Sequence, residues 1–411
     1  MSTPEAQRAI NRGASVIIPC LLVGTVGVAT YVVVVRLGVD YLLRPSSDLQ
    51  LTAAYPVNPR RGTAIAIIVV YCILLALMTL PYLRTFQVIQ TNPGYIRRGP
   101  HAQRDQPPAA QAPKSRPSSA PVPRPPSKNA LPNPTPAAAA AATAPPPRPR
   151  PQSHLRRHRR PAPGLERFYA KDAFVCDMSG LPIFCPKCDN WKRDRTHHCS
   201  EVGRCVRRMD HFCPWIGGIV SETNLKFFLQ FVVYAALYTL FMLVVLAVFV
   251  AEQVRIGLGR DAWLIGILVC SATFFFFAAG MSGSVIQMSL RNYTTVENLF
   301  KGNKTYFIAV YTGPQTPQAA MERPLYPTVT YPLRPTPGAD IRQFAILQTK
   351  PGENPWDLGA LQNWRELMGY SWLEWLLPIK YSPFCKHGAR YEYPFGPVLD
   401  RMRREAGLSS R

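Results

Sequence analysis

The chain has 411 residues and a formal net charge of +23, with 47% hydrophobic and only 17% charged residues. This length leaves room for two or three soluble domains, but the hydrophobic residues are concentrated in a few long stretches. The positive charge would suit nucleic acid. Much of it lies beside those stretches or in a proline-rich segment, where attraction to anionic lipid explains it as well, so we expect no nucleic-acid partner.

Four stretches contain no Asp, Glu, Lys or Arg: residues 16–35, 64–83, 227–251 and 262–290. Each is long enough to cross the roughly 30 Å hydrocarbon core of a bilayer as a helix. The alternative is a set of buried helices in a large soluble domain, but such helices are usually shorter and amphipathic. We therefore predict an α-helical integral membrane protein with four transmembrane helices and a bilayer as its surroundings.

Four spans place the N-terminal segment 1–15, the loop between the second and third spans, and the tail 291–411 on one side. The loop, residues 84–226, holds 24 Lys and Arg residues against 9 Asp and Glu residues. Such an excess is typical of the cytosolic side, although the opposite loop 36–63 is mildly basic too. We predict a multi-pass protein with both termini and this loop in the cytosol; the sequence does not indicate which endomembrane it occupies.

The segment 99–163 within that loop is rich in Pro, Ala and Arg and contains 19 of the 42 prolines. It cannot bury enough apolar surface to offset the entropy of ordering, so we predict a disordered or partly polyproline linker. Its role as a simple tether or as a docking peptide stays open.

The tail concentrates aromatic residues between residues 354 and 378. Four of the seven tryptophans lie there: Trp356, Trp364, Trp372 and Trp375. The segment is too polar to span a membrane and too aromatic for a free tail. We predict that it packs at the membrane interface against the cytosolic domain.

The most informative part of the loop is a cysteine-rich segment, which we predict to form a small domain over residues 183–226. Its candidate ligands and nucleophiles are Cys185, Cys188, His197, His198, Cys199, Cys205, His211 and Cys213. Cys185 and Cys188 form a CxxC pair, a turn that directs two thiolates to one tetrahedral ion. With His and further Cys close behind, this spacing predicts a zinc site, which a reducing compartment favours over disulfides.

One zinc ion takes four ligands, so some of these residues have another role. Asp210, His211 and Cys213 suit catalysis, because a thiol needs a base to become a thiolate and the base needs a carboxylate to orient it. From spacing alone, the alternative in which His211 or Cys213 binds zinc stays open.

The segment 185–224 resembles the cysteine-rich domain of the DHHC-type protein palmitoyltransferases, and the chain resembles their four-span fungal members. The shared positions are Cys185, Cys188, Lys192, Arg195, His198, Cys199, Cys205, Asp210, His211, Cys213, Pro214, Trp215 and Asn224. Thr294 to Glu297 also matches the TTxE motif of the family, although the same residues read as a helix N-terminal capping box. Asn92 to Gly94 forms a predicted turn and approximates the family's DPG motif.

The resemblance implies that Cys213 takes the acyl group of an acyl-CoA, that His211 accepts the thiol proton, and that Asp210 orients His211. It assigns zinc to Cys185, Cys188, His198 and Cys205 and leaves His197 without a metal role. The acyl chain would lie between the spans. The candidate contacts for the CoA phosphates are basic: Lys187, Lys192, Arg193, Arg195, Arg204, Arg207 and Arg208. A solvated basic face is the alternative for each of them.

The chain departs from the family at a second zinc site, where Val202, Phe212 and Ile219 replace Cys, His and Cys. The motif therefore reads Asp-His-Phe-Cys, and Cys199 is left alone. We predict one zinc ion per chain and an apolar cluster in place of the second.

Two functions follow. The first is a protein S-acyltransferase that moves palmitoyl or a similar acyl group from acyl-CoA to cysteines of membrane-associated proteins. The second is a catalytically silent, zinc-stabilised membrane scaffold. Retention of Asp210, His211 and Cys213 beside the lost ligands favours the enzyme.

Overall fold

The computed structural model describes residues 4–45, 58–100, 102, 164–300, 302–313, 326–333 and 340–408. Nearly all of the predicted linker, residues 99–163, lies outside them. The helices are α1 (Pro4–Thr30), which continues as a π-helix over Tyr31–Leu43, α2 (Arg61–Thr91), α3 (Glu166–Tyr169), α4 (Leu225–Arg255), α5 (Ala262–Leu290), α6 (Thr295–Leu299), α7 (Ala360–Met368), α8 (Trp372–Leu376) and α9 (Pro397–Glu405). The strands are β1 (Ala173–Cys176), β2 (Phe184–Cys185), β3 (Asn190–Trp191), β4 (His197–Cys199), β5 (Arg204–Val206), β6 (His211–Cys213), β7 (Gly218–Val220), β8 (Phe307–Tyr311), β9 (Thr328–Tyr331) and β10 (Arg342–Gln348).

Four helical segments are long and apolar enough to cross a membrane: Ala6–Leu43, Arg61–Thr91, Leu225–Arg255 and Ala262–Leu290. This confirms the predicted fold class of four membrane helices with a cysteine-rich domain between the second and third. Large apolar side chains such as Val16, Ile65, Val248 and Phe276 are exposed on these helices, as expected for surfaces that face lipid. The first helical segment is longer than the predicted span, because it continues beyond residues 16–35 at both ends.

The helices pack around an apolar core that contains Val33, Leu37 and Leu246. Polar side chains inside the bundle are paired with one another, as a hydrocarbon environment requires. Tyr71 contacts Thr30 (2.7 Å) and Tyr238 (2.9 Å) through its hydroxyl. The bundle therefore combines apolar packing with satisfied polar groups.

Two kinds of β-structure follow outside the bundle. Three short antiparallel hairpins, β2–β3, β4–β5 and β6–β7, lie in tandem between α2 and α4. A four-stranded antiparallel sheet, in the order β1-β8-β10-β9, combines a strand before the hairpins with three strands after α5. Its aromatic core includes Phe174, Tyr331 and Phe344. Asp194 joins the sheet to the hairpins by accepting a hydrogen bond from the main-chain N–H of Val175 (2.8 Å).

The four tryptophans of the tail lie in different environments, and three of them pack against the rest of the protein. Trp356 is buried between Tyr306 and Phe395, whereas Trp364 and Trp375 pack against the cluster around Cys213. Trp372 is 64% exposed. The predicted position of this segment at the membrane interface stays a prediction.

Candidate active site

Four predicted metal ligands lie together where the first two hairpins meet. The ligand atoms of Cys185, Cys188, His198 and Cys205 are all within 4.8 Å of one another. The Nδ1 atom of His198 lies 3.6 Å, 3.3 Å and 3.9 Å from the sulfurs of Cys185, Cys188 and Cys205. A tetrahedral ion with Zn–S of about 2.3 Å and Zn–N of about 2.0–2.1 Å separates such atoms by roughly 3.5 Å. These four residues therefore fit a metal ion.

The hairpins bring these ligands together because of their register. His198 is the cross-strand partner of Cys205, whereas Cys185 ends β2 and Cys188 lies in the turn of the first hairpin. The chain that leaves α2 runs along both hairpins, since Ile96 N–H donates to Cys205 O (2.9 Å) and Gly99 N–H donates to Cys188 O (2.8 Å). A Cβ atom at Gly99 would come within 1.9 Å of a main-chain oxygen, so only glycine fits there.

The predicted turn at Asn92 to Gly94 directs the chain into this position. Gly94 has a φ of +76°, in the left-handed region that favours glycine. Its carbonyl accepts a hydrogen bond from Arg207 N–H (2.9 Å), and Pro93 O accepts one from the hydroxyl of Ser221 (3.1 Å).

An apolar cluster lies between the second and third hairpins. Ile219 is fully buried there, and Phe212 is its cross-strand partner. Val202 and the thiol-bearing Cys199 belong to the same cluster, together with Val206. The three residues that replace family ligands therefore contact one another around Cys199.

The third hairpin carries the predicted catalytic residues. Asp210 precedes β6, and its Oδ2 atom lies 2.6 Å from Nδ1 of His211. The imidazole of His211 also interacts with the thiol of Cys213, and this interaction contributes to a raised pKa of His211. Asp210 and Cys213 are almost fully buried. The structure thus places carboxylate, imidazole and thiol in the order that activation of a thiol requires.

The carboxylate of Asp210 and the imidazolium of His211 stabilise each other. Burial disfavours the imidazolium form of His211, but its interactions with Asp210 and Cys213 outweigh burial and raise its pKa to about 10. Burial likewise opposes the charged form of Asp210, and its hydrogen bonds to His211 and Thr295 still lower its pKa.

The TTxE segment, which follows the C-terminal end of α5, supports Asp210. Thr295 donates two hydrogen bonds to this carboxylate, from its main-chain N–H to Oδ1 (2.9 Å) and from its hydroxyl to Oδ2 (2.7 Å). Thr294 and Glu297 form the predicted capping box of α6. Sequence reasoning did not identify Thr295 as a partner of Asp210, although the TTxE motif was the available signal.

Glu297 has a second partner in Arg195. The guanidinium group donates to both carboxylate oxygens, at 2.9 Å from Nε and 2.6 Å from Nη2, and both side chains are 1% exposed. Arg195 also stacks over Trp356, 4.9 Å from the ring centroid. A buried bidentate pair of this kind positions the loop that holds Thr295.

The residues predicted to contact CoA phosphates lie in different environments. Arg195 and Arg208 are buried, and Arg208 contacts Asn292 and the ring of Phe384. Both guanidinium groups are almost fully withdrawn from solvent, so phosphate contacts for them stay a prediction. Arg193 and Arg207 are part of ion pairs with Glu392 and Glu222, and Arg204 lies over Tyr95.

Lys192 has no ion pair with any residue that the structure describes. It lines a cavity of about 230 Å³ together with Lys304 and the buried Arg195. Lys187, also predicted from its charge, is exposed on the first hairpin.

Cys213 lies against the membrane helices. It belongs to an apolar cluster with Phe228 and Leu229 of α4 and Val285 of α5. The following turn, Pro214–Ile216, directs Trp215 against Phe277 of α5, with ring centroids 5.2 Å apart. The thiol is therefore located where the hairpins meet the helix bundle.

The fold and this site define a multi-pass membrane protein with a thiol, an imidazole and a carboxylate at its membrane face. The model of the DHHC palmitoyltransferase family matches residues 180–302. The palmitoyltransferase pfa5 of Aspergillus fumigatus is 38% identical, over 99% of this chain and 93% of that protein. The pfa5 of Emericella nidulans is 36% identical over 99% of this chain and 88% of the relative, and the palmitoyltransferase PFA3 of Candida albicans is 32% identical over 48% and 47%.

The chain therefore belongs to the DHHC palmitoyltransferase family, as the resemblance predicted. It is a protein S-palmitoyltransferase. The alternative of a silent scaffold gains no support from these relatives, all of which are named as enzymes.

Proposed function

We propose that Cys213 carries the acyl group between acyl-CoA and a substrate cysteine. The Cys213 thiolate attacks the thioester carbonyl of acyl-CoA, the carbon–sulfur bond to CoA breaks, and CoA leaves as a thiolate that takes up a proton. A substrate thiolate then attacks the new thioester, and the acyl group passes to it while the Cys213 sulfur is released. The observation that supports this role is the single imidazole that contacts both Asp210 and Cys213.

In this proposal His211 holds the proton that leaves the Cys213 thiol. Asp210 holds the imidazole by its Nδ1 atom, so that Nε2 is available to sulfur, and stabilises the charge that His211 gains. Thr295 is a positioning residue, because it acts through Asp210. The same imidazolium can return its proton to the departing CoA sulfur.

We place the acyl chain in the helix bundle, beginning at the apolar cluster around Cys213. Phe228, Leu229 and Val285 surround the thiol, so a fatty acyl thioester would find apolar contacts as soon as it forms. This location also limits the protein substrates. Their cysteines must reach the cytosolic face of the membrane, so we propose membrane-associated proteins as substrates.

One zinc ion is proposed at Cys185, Cys188, His198 and Cys205. The four ligand atoms fit a closed structural site, which contributes to folding rather than to the reaction. Zinc there fixes the first two hairpins, and the apolar cluster then connects them to the third.

The phosphates of CoA are proposed to bind beside the cavity lined by Lys192 and Lys304. Both ammonium groups have no ion pair with a described residue, which leaves their charge available to a phosphate. Lys304 was not identified from the sequence.

We further propose that the hairpins and both termini face the cytosol. The excess of Lys and Arg in the loop 84–226 and the need for reduced thiols at the metal site both support this orientation. In sealed right-side-out microsomes, added protease should cut the segment 99–163, and protection of that segment would contradict the orientation.

The carrier role is tested by labelling purified protein with palmitoyl-CoA. Cys213→Ser should abolish hydroxylamine-sensitive self-acylation while zinc content stays unchanged, and Cys199→Ser is the matched control that should keep labelling. Stable labelling of the Cys213 variant would contradict the proposal. His211→Ala should slow acyl-enzyme formation by a factor on the order of 10² or more, as loss of a general base does.

A further inference from the structure

A second cavity, of about 740 Å³, lies between the end of α2, the segment just before α4 and the C-terminal segment. Its walls include Arg207, Thr223, Glu374, Lys380, Ser382 and Lys386. This volume is within the range of small-molecule binding sites. The cavity does not include Cys213 or any residue of the metal cluster.

Contacts with two transmembrane helices place this cavity at the end of the helix bundle that carries the hairpins. The guanidinium of Arg84, near the end of α2, lies 5.4 Å from the ring of Phe227 and 5.3 Å from the ring of Tyr381. Farther along α4, Tyr234 donates a hydrogen bond to the main-chain oxygen of Leu376 (2.9 Å). Residues 376–381 thus run beside the first turns of a transmembrane helix.

Apolar side chains around the cavity are open to the surroundings. Trp372 is 64% exposed and Ile379 is 67% exposed. The side chains of Leu373, Leu376 and Leu377 are also exposed. An exposed apolar rim beside a polar cavity, at this depth, suits contact with lipid chains.

The charge inside the cavity is in positive excess. Glu374 is neutralised by Lys380, whose ammonium lies 2.8 Å from the carboxylate. Glu222 is neutralised by Arg207 at 2.7 Å and also accepts a hydrogen bond from Tyr393. Lys386 is exposed and has no ion pair with a described residue, so one positive charge is left over.

Two buried polar groups next to the cavity have no hydrogen-bond partner among the described residues. Ser382, which lines the cavity, is only 3% exposed and its hydroxyl is unpaired. Lys226 is 1% exposed, its ammonium is also unpaired, and it interacts electrostatically with Glu374, Lys380 and Cys385 of the cavity wall. Burying an unpaired ammonium or hydroxyl is unfavourable, so both groups indicate a missing acceptor.

We propose that this cavity binds the phosphate of an anionic glycerophospholipid. Lys386 supplies the charge, Ser382 donates a hydrogen bond, and the lipid chains lie along Leu377 and Ile379. A phosphate accepts several hydrogen bonds at once and so satisfies the unpaired donors. The site is separate from acyl transfer, and Cys213→Ser should leave it intact.

The test uses the full chain in detergent after removal of lipid. Binding of dioctanoyl phosphatidic acid is compared with that of dioctanoyl phosphatidylcholine, which has the same chains but no net charge. We expect the phosphatidic acid to bind about tenfold more tightly, and Lys386→Gln to remove most of that preference. The matched control, Lys350→Gln with Arg404→Gln, removes two exposed cations outside the cavity wall and should keep it.

Ser382→Ala separates an effect on lipid binding from an effect on folding. Loss of a hydroxyl with no partner should leave the melting midpoint of the lipid-free protein unchanged, yet weaken phosphatidic acid binding about fivefold to tenfold. Equal affinity for the two lipids, or binding that neither Ser382→Ala nor Lys386→Gln weakens, would overturn the proposal.

Lys226→Met should change two quantities in opposite directions, the melting midpoint without lipid and the increase in that midpoint caused by lipid. Replacing a buried, unpaired ammonium with an apolar chain should maintain or raise the melting midpoint without lipid, while the increase caused by phosphatidic acid becomes smaller. An undiminished increase would contradict a role for Lys226. Free CoA is the final arm: if CoA displaces the lipid and Lys386→Gln weakens CoA equally, the cavity belongs to the acyl donor and the lipid assignment is wrong.

Discussion

The three hairpins are joined at two places, and the two differ in chemistry. The first junction, between β2–β3 and β4–β5, is a group of metal ligands, whereas the second, between β4–β5 and β6–β7, is an apolar cluster. At the first junction four ligand atoms lie within 4.8 Å of one another around a space for one ion. At the second, Val202, Phe212 and Ile219 form an apolar cluster around Cys199. Both junctions connect short hairpins that are too small to be stable alone. If the first junction holds zinc as proposed, burial takes the place of coordination at the second junction.

The energies of the two junctions are comparable but unequal. Structural zinc in small domains contributes apparent binding energies of about 10–16 kcal/mol. Burial of three apolar side chains contributes roughly 1.5–3 kcal/mol each. On this basis the third hairpin, which carries the proposed catalytic residues, would be attached by the weaker junction, with added support from Thr295.

Removing a metal ligand should have the largest effect. Cys205→Ser leaves three ligands, so we expect zinc content to fall from one per chain towards zero and most of the site's roughly 10 kcal/mol to be lost. Elemental analysis and self-acylation of the same preparation check this. An unchanged zinc content would show that Cys205 is not a ligand.

Removing apolar volume should be the next largest effect. Ile219→Ala should lower the free energy of unfolding by about 2–5 kcal/mol, because Ile219 is fully buried, while zinc content stays the same. Ile183→Ala, at a 45% exposed position beside the first hairpin, is the matched control. Similar losses for the two variants in denaturant unfolding would argue against an apolar junction.

Phe212→His restores one family ligand without restoring the site. Val202 and Ile219 still offer no metal-binding atoms, so we expect no second zinc ion and a loss of about 2–3 kcal/mol from placing a polar ring in an apolar cluster. Zinc analysis and unfolding of the purified variant decide this. A gain of one zinc ion would refute the prediction.

The smallest effect concerns the pH dependence of the catalytic hairpin. The folded protein raises the pKa of His211 to about 10, above the ordinary value near 6.5. The stability linked to this shift is fully present below about pH 6.5 and is lost as pH rises towards 10. The difference in unfolding free energy between wild type and His211→Gln should therefore decrease as pH rises over this range. A constant difference would contradict the shift.

Some of this structure follows from the sequence, and the rest depends on distant contacts. Uninterrupted apolar stretches and a CxxC pair are local signals, which is why four membrane helices and the first ligand group were predictable. The sheet was not predicted, because β1 pairs with β8 more than 130 positions later and its strands are only four to seven residues long. The burial of Arg195 follows from its pairing with Glu297, 102 positions away, which charge alone does not reveal.

We propose that one metal ion and one apolar cluster together position the three hairpins, including β6–β7 with Cys213. Elemental analysis of the purified full chain, with Cys199→Ser analysed in parallel, tests it most directly. We predict one zinc ion per chain in both proteins, because Cys199 lies in the apolar cluster rather than in the metal group. A reproducible two zinc ions per chain, falling to one in Cys199→Ser, would contradict the account.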